Sequence, residues 1–300
     1  MANKNIILEE ILKQYKEEFA DNLINDDRNF EHFAAEQLLK DENLDEDEIN
    51  SGLIGDSNDN GIDGFYIFLD GELINQIEQV EGKYKEMTVY FHQYKNNYKI
   101  EESVVLKFNN AFNDIMDFEN IDLNGWHYEL KNKIILLRDI ILKTAKCAIT
   151  IKFVINHISK ANSEDIKDNK SYWSKVDNLK NLIAKFGISK LVVEYGYIGG
   201  EELKDLSYRK PEYSIDLVLK DSPLTLEFGD NNIGYIALVS LKNYYNFIVE
   251  NGNIQKHIFD SNVRDYQNKT TVNKEIEDTI KNDNDTDFWW LNNGITIIAG

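Results

Sequence analysis

The segment CAITIKFVIN (residues 147–156) is the feature that most limits what this chain can become. It is almost continuously apolar, with Lys152 as its single charge. A strand with one wet face alternates polar and apolar residues, so a run like this belongs inside a sheet covered on both faces. Helical patterns flank it: residues 129–146 before it, and SYWSKVDNLKNLIAKFG (171–187), ending at Gly187, after it. ISKLVVEYGYI (188–198) reads as a further strand. The expected class is α/β.

The residues before this segment supply more of the same. Residues 5–24 read as an amphipathic helix with Ile7, Ile11, Tyr15, Phe19 and Leu23 four apart. A second helix is expected over 28–40, with Phe30, Phe33, Ala34 and Leu38 on one face and Asp26 or Asp27 as its cap. The acidic run 41–48 reads as solvated surface. A turn-rich stretch, SGLIGDSNDNG (51–61), in which Asp56 and Asp59 are turn residues, leads into a strand at Ile62–Leu69. Asp70-Gly71 is a tight-turn signal, MTVYFHQYK (87–95) a strand, and 101–118 a helix. Beyond 198, Gly199-Gly200, a charged stretch and Pro211 mark a boundary near 199–211. Strands are expected around 213–219 and 233–240, and helices around 240–250 and 270–282. Asn293-Gly294, between FWWL and ITIIA, signals a hairpin, so the 300 residues read as the front part of a longer protein.

Charge and cysteine content exclude several functions. The chain carries 33 Lys+Arg against 53 Asp+Glu, net −20, which argues against a polybasic nucleic-acid binder and against docking on an anionic membrane. Most of the excess is local: the first 60 residues hold 5 basic and 17 acidic residues. An enzyme that grips nucleic acid through metal ions and a local basic groove stays open, with Lys83, Lys85, Lys95, Lys99 and Lys107 as groove candidates. A single cysteine, Cys147, excludes disulfides within the chain and Cys-rich zinc sites. There is no signal-peptide pattern and no run of roughly 18 apolar residues, so a cytoplasmic, membrane-free protein is expected. GxxxxGK[ST], GxSxG and HExxH patterns are absent, and the five histidines show no metal-ligand spacing.

The chemistry-bearing residues are Asp63, in GIDGF, and the pair Gln93 and Lys95, in VYFHQYK. Residues two apart on a strand share a face, so Gln93 and Lys95 project together, while His92 and Tyr94 point the other way. Pairing this strand with the one that begins at Asp63 would gather the three side chains. A carboxylate, an amide oxygen and main-chain carbonyls suit a hard cation such as Mg²⁺ or Mn²⁺, and a lysine ammonium can steer the attacking water or neutralise developing charge.

The order helix, turn, strand with Asp63, strand with Gln93-x-Lys95, helix, strand resembles the PD-(D/E)xK nuclease core. In particular it looks like the Mrr-type restriction endonuclease variants that carry Gln in the second motif; Ile62 stands where the motif's proline would be. The resemblance implies a mixed sheet flanked by helices, with Asp63, Gln93 and Lys95 catalytic and Glu31, Asp63 and Gln93 holding the metal. Glu31 lies in FEHFAAEQLL (30–39), and Glu36 is its alternate. A second stretch is similar to the AIPR (abortive-infection phage resistance) family: HIFDSNVRDYQNKTTVNKEIEDTI (257–280) and FWWLNNGITIIAG (288–300), through Asn262, Arg264, Asn273, Phe288, Asn292, Asn293 and Gly294. Together these imply a nuclease domain over 1–200 and the start of an α+β AIPR domain over 201–300. The expected activity is metal-dependent cleavage of nucleic acid, DNA in the first instance, in bacterial defence against phage. Lys99, Asn262 and Arg264 are candidate nucleic-acid contacts. A homodimer, or a phage or partner protein, stays open. The other expectation is a catalytically inactive phage-sensing or interaction module.

Overall fold

The computed structural model describes residues 4–18, 25–42, 44–55, 59–119, 123, 125–147, 149–209, 217–228, 232–250 and 253–254. The chain divides into two compact units, Met1–Phe247 and Ile248–Gly300.

In the first unit, α1 (Ile6–Glu18), α2 (Asp26–Leu38) and α3 (Glu46–Gly52) precede β1 (Gly64–Leu69), β2 (Glu72–Leu73) and β3 (Glu86–Lys95). Next come α4 (Ser103–Ile115), α5 (Tyr128–Thr144), β4 (Thr150–Ser159), α6 (Glu164–Lys167), α7 (Lys170–Ala184), β5 (Leu191–Ile198) and α8 (Gly200–Tyr208). The hairpin β6 (Leu224–Phe228) and β7 (Asn232–Ile236) and then α9 (Leu241–Ile248) follow. In the second unit the described residues form one short antiparallel pair, β8 (Val249–Glu250) with β9 (Asn253–Ile254).

The sheet has the order β2-β1-β3-β4-β5. β1 is antiparallel to β2 and β3, whereas β3, β4 and β5 run parallel. The long apolar segment is thus a central parallel strand, as its sequence requires. Odd positions of β1 and β3 face one core: Phe65, Ile67, Met87, Val89 and Phe91 pack with residues of α4, α5 and α7. Even positions Tyr66, Phe68 and Tyr94 face a second core built with α1, α2 and α3 and with Leu203 of α8. The result is helices, sheet, helices in three layers.

Local chemistry sets the element ends. Asp70 (φ 49°) and Gly71 (φ 87°) are both left-handed and join β1 to β2 through the expected two-residue turn. Asp70 Oδ1 also accepts the Glu86 N–H at 2.9 Å, which pins the start of β3. α2 is capped by Asn25, whose side chain accepts the Arg28 N–H; Asp26 and Asp27 sit in the first turn instead, where they meet the positive end of the helix dipole. The buried stripe of α1 is Leu8, Leu12 and Tyr15, one residue round from the expected face, and Ile7 is exposed. Phe19 and Leu23 lie outside the described residues.

Within the expected boundary at 199–211 lies α8, which packs on α1 and α2. Lys40 Nζ donates to the Leu206 and Arg209 carbonyls at 2.8 and 3.0 Å, and Arg209 grips Asp41 with both nitrogens. Part of the acidic run is thereby tied down. The strand expected over 213–219 is not found in its described part, 217–219; among the described residues the next strand after β5 begins at Leu224. The helix over 270–282 and the hairpin at Asn293-Gly294 lie outside the described residues.

Phe91 sits at the centre of the first core, its ring 4.8 Å from those of Phe65 and Phe112 and 5.4 Å from that of Phe153. Phe91→Ala should lower unfolding stability by about 3–5 kcal/mol, whereas Leu142→Ala, on an exposed position, should stay within about 0.5 kcal/mol. Urea unfolding followed by circular dichroism measures both.

Candidate active site at the end of the sheet

Register decides which side chains meet. Gly64 pairs with His92, so one step further Asp63 falls opposite Gln93. Asp63 donates its backbone N–H to the His92 carbonyl at 2.8 Å. Its carboxylate Oδ2 accepts the Tyr94 N–H at 2.7 Å and lies 3.9 Å from Lys95 Nζ. The hydrogen-bond network assigns the Gln93 amide with its nitrogen toward the Gly61 carbonyl at 3.2 Å and its oxygen toward Lys95 Nζ at 2.9 Å. The lysine ammonium therefore bridges the amide and the carboxylate. All three side chains named from the sequence meet, although β1 and β3 are not a simple hairpin: β2 leaves on the far side of β1, and β3 returns to pair directly with β1.

The turn before β1 completes the arrangement. Asp59 Oδ1 accepts the Gly61 N–H at 2.6 Å, and the Asp59 carbonyl accepts the Ile62 N–H at 2.9 Å. Asn60 (φ 49°) and Gly61 (φ 84°) are left-handed, and a Cβ on Gly61 would lie 2.8 Å from Lys107 Cβ. Gly61 is thus fixed twice over, by backbone angle and by its neighbour.

A cleft of about 480 Å³ opens here, lined by Asn25, Asp27, Arg28, Phe30, Glu31, Ile54, Gly55, Asp59, Asp63, Tyr94, Lys95, Asn96 and Asn97. Glu31 reaches it from α2 and pairs with Arg28 at 3.3 Å; Arg28 also donates to the Ile54 carbonyl at 3.4 Å. The alternate, Glu36, accepts from the Tyr15 hydroxyl and does not line the cleft. Four carboxylates therefore face two cations. Burial pushes the Asp63 carboxyl up to about 7; Lys95 and the Tyr94 N–H oppose the rise, and Asp59 and Glu31 add to it.

This lining fits a hard divalent cation. Among the described residues, no three His, Cys, Asp or Glu side chains already stand together as a metal cluster. The donor set would consist of Asp63 and Glu31, completed by the Gln93 amide oxygen and main-chain carbonyls, all hard oxygens. Burial raises the Asp63 carboxyl, with Asp59 and Glu31 adding to it, and a nearby cation would oppose that rise.

Other candidates fall elsewhere. Lys83 and Lys85 precede β3, at the opposite end of that ten-residue strand, roughly 30 Å from Lys95 at about 3.3 Å per residue. Lys99 is exposed and outside the cleft lining, its backbone N–H donated to Asn97 Oδ1 at 2.8 Å. Lys107 packs beside Gly61 and borders the site. His92 lies on the other face, bonded to the Tyr94 hydroxyl at 2.8 Å; burial pushes it down to about 3, so it is a neutral core residue, as read from the sequence. Asn262, Arg264, Asn273, Phe288, Asn292, Asn293 and Gly294 lie outside the described residues. Sequence reading missed Asp59 and Arg28 as lining residues. Asp59 had a sufficient role as a turn residue, and Arg28 is brought in only by the packing of α2 against the sheet.

The family model described as AIPR protein matches residues 259–300. No curated protein and no solved structure matches the chain. No helix among the described residues is long and apolar enough to cross a membrane.

The raised Asp63 carboxyl makes stability depend on pH. A carboxyl that holds its proton to higher pH in the folded than in the unfolded state stabilises most below about pH 4, and that contribution is lost as the pH rises through about 7. Asp63→Asn keeps an acceptor for the Tyr94 N–H and carries no charge. The variant should therefore match the wild type near pH 4 and exceed its stability at pH 8 by roughly 2–4 kcal/mol. Denaturant unfolding across this range reads the difference; a gap that stays constant with pH would mean an ordinary carboxylate.

Proposed function

We propose that this chain is a metal-dependent nuclease with a restriction-endonuclease-like core, which hydrolyses phosphodiester bonds, with DNA as the expected substrate. The observation that carries the reading is the convergence of Asp63, Gln93 and Lys95 by strand register, with Asp63 and Lys95 lining a cleft that Glu31 and Asp59 also line. The order of α2, turn, β1, β3, α4 and β4 supports it, because it is the order the resemblance to PD-(D/E)xK nucleases calls for. The AIPR match at residues 259–300 supports a setting in anti-phage defence.

In this reading Asp63, Glu31 and the Gln93 amide oxygen hold Mg²⁺ or Mn²⁺. A bound divalent cation supplies Lewis-acid polarisation of the phosphate and makes a nearby water more acidic. Lys95 orients the attacking water and offsets the charge that grows on phosphorus. Arg28 and Lys107, one lining the cleft and one beside it, offer cations to flanking phosphates. The Tyr94 N–H keeps Asp63 in place throughout, because that hydrogen bond is independent of the carboxyl's second oxygen. A second reading, a phage-sensing or protein-interaction module without catalysis, is favoured by one observation: the net negative lining, which repels phosphate unless a cation is bound.

Labelled DNA and RNA incubated with the protein should be cut with Mn²⁺ and left intact with EDTA, and Lys95→Ala should lose about 100-fold or more of the rate. Asp63→Ala should also lose the thermal stabilisation that Mn²⁺ gives the wild type. Full cleavage by either variant would sink the assignment. Stabilisation by Mn²⁺ without any cutting would favour the sensing module.

A further inference from the structure

His157 is a buried ionisable residue to which the proposed chemistry gives no role. It lies on β4 directly beside Gln93 in the parallel β3–β4 register, and paired residues on parallel strands share a face. It is fully buried. Its Nδ1 is 2.8 Å from the Tyr172 hydroxyl, which is itself 2.5 Å from the Tyr195 hydroxyl. Two rings pack against it, Tyr172 stacked and Tyr197 edge-on. Its Nε2 has no hydrogen-bond partner. Buried polar atoms without partners are uncommon in folded proteins and each calls for a reason. Burial, with Lys95 adding to it, pushes the ring down to about 3, so the imidazole is neutral and lies within reach of the Lys95 charge.

The nuclease reading leaves a gap that this atom fills. In the structure, the Gln93 amide oxygen receives the Lys95 ammonium. If that oxygen turns to a divalent cation, Lys95 loses its near acceptor and is left with Asp63 Oδ2 at 3.9 Å. We propose that His157 is a positioning residue for Lys95: its bare Nε2 accepts an N–H from the Lys95 ammonium once Gln93 engages the cation. The proton then sits on Nδ1, which donates to the Tyr172 hydroxyl, and that hydroxyl donates on to Tyr195. The two tyrosines hold the ring in one tautomer, and the ring holds the lysine where the water must be steered. This inference rests on the reading of the cleft as a cation-dependent nuclease site.

Two replacements separate a positioning role from a packing role. Asparagine places its polar end near the Nδ1 position, facing Tyr172; glutamine reaches to the Nε2 position. At saturating Mn²⁺, His157→Asn should slow cleavage about 10- to 100-fold with Mn²⁺ affinity unchanged within about twofold, while His157→Gln stays within about threefold of wild type. The opposite ranking, or two variants equal to wild type, overturns the proposal; thermal melts of both variants exclude simple loss of folding. A readout independent of cleavage is the long-range proton–nitrogen spectrum of the His157 ring. The Nδ1–H tautomer is expected, with the Nε2 resonance moving when Mg²⁺ is added; an Nε2–H tautomer overturns the proposal. In a protein that binds Mg²⁺ without cutting, this spectrum alone decides. A wild type that neither binds Mn²⁺ nor cuts removes the cleft reading and this inference together. Binding and cutting that are indifferent to His157 remove only the inference.

Discussion

The register of β1 on β3 and of β3 on β4 is the constraint on which everything else rests. Strand side chains alternate with a period of two, so a slip of one residue turns every side chain of a strand to the other face. With Gly64 opposite His92, Phe65 and Phe91 enter one core, Tyr66 and Tyr94 enter the other, and Asp63 meets Gln93. A slip of β3 by one residue would carry Phe91 out of its cluster with Phe65, Phe112 and Phe153, and in the same movement would turn Gln93 and Lys95 away from Asp63. Core packing therefore enforces the geometry of the site. The large aromatic side chains make the wrong register expensive, and the polar end of the sheet inherits the accuracy of its apolar middle.

That middle was largely legible in the sequence, because its physics is local. The apolar run at 147–156, the alternation at 87–95 and the Asp70-Gly71 turn each announce an element within a few residues, and each element is present. Gln93 and Lys95 were readable as a pair for the same reason, since spacing along one strand fixes a shared face. Contacts set by packing between distant elements were less legible. The buried stripe of α1 is rotated by one residue because α2 and α8, rather than the helix's own pattern, choose which side is covered. A Cβ on Gly199 would lie 2.5 Å from the Ala161 carbonyl oxygen, so the glycine there permits close approach of two distant chain segments. Asp59 and Arg28 were passed over because each has a sufficient local role, and only the closed cleft adds the second one.

The charge of the whole chain is a poor guide to the site. A net charge of −20 describes the distant field, but within a few ångströms of Asp63 the balance depends on individual partners. Asp41 is neutralised by Arg209, Glu9 by Lys160 and Glu102 by Lys175, so part of the acidity is internal to the scaffold. At the cleft the pairing is incomplete. Lys95 is shared between Gln93 and Asp63, and Arg28 is shared between Glu31 and a carbonyl. The excess negative charge is concentrated where a cation would enter.

Asp63 is the point at which these effects meet. A carboxylate buried at the mouth of a sheet, beside two other carboxylates and a shared lysine, cannot hold full charge cheaply, and near neutral pH it keeps a proton part of the time. In the proposed nuclease reading, a divalent cation would compete with that proton for the same oxygens, since a metal ligand must be deprotonated. The Tyr94 N–H and Lys95 stabilise the ionised form only in part, so burial still decides where the carboxyl titrates.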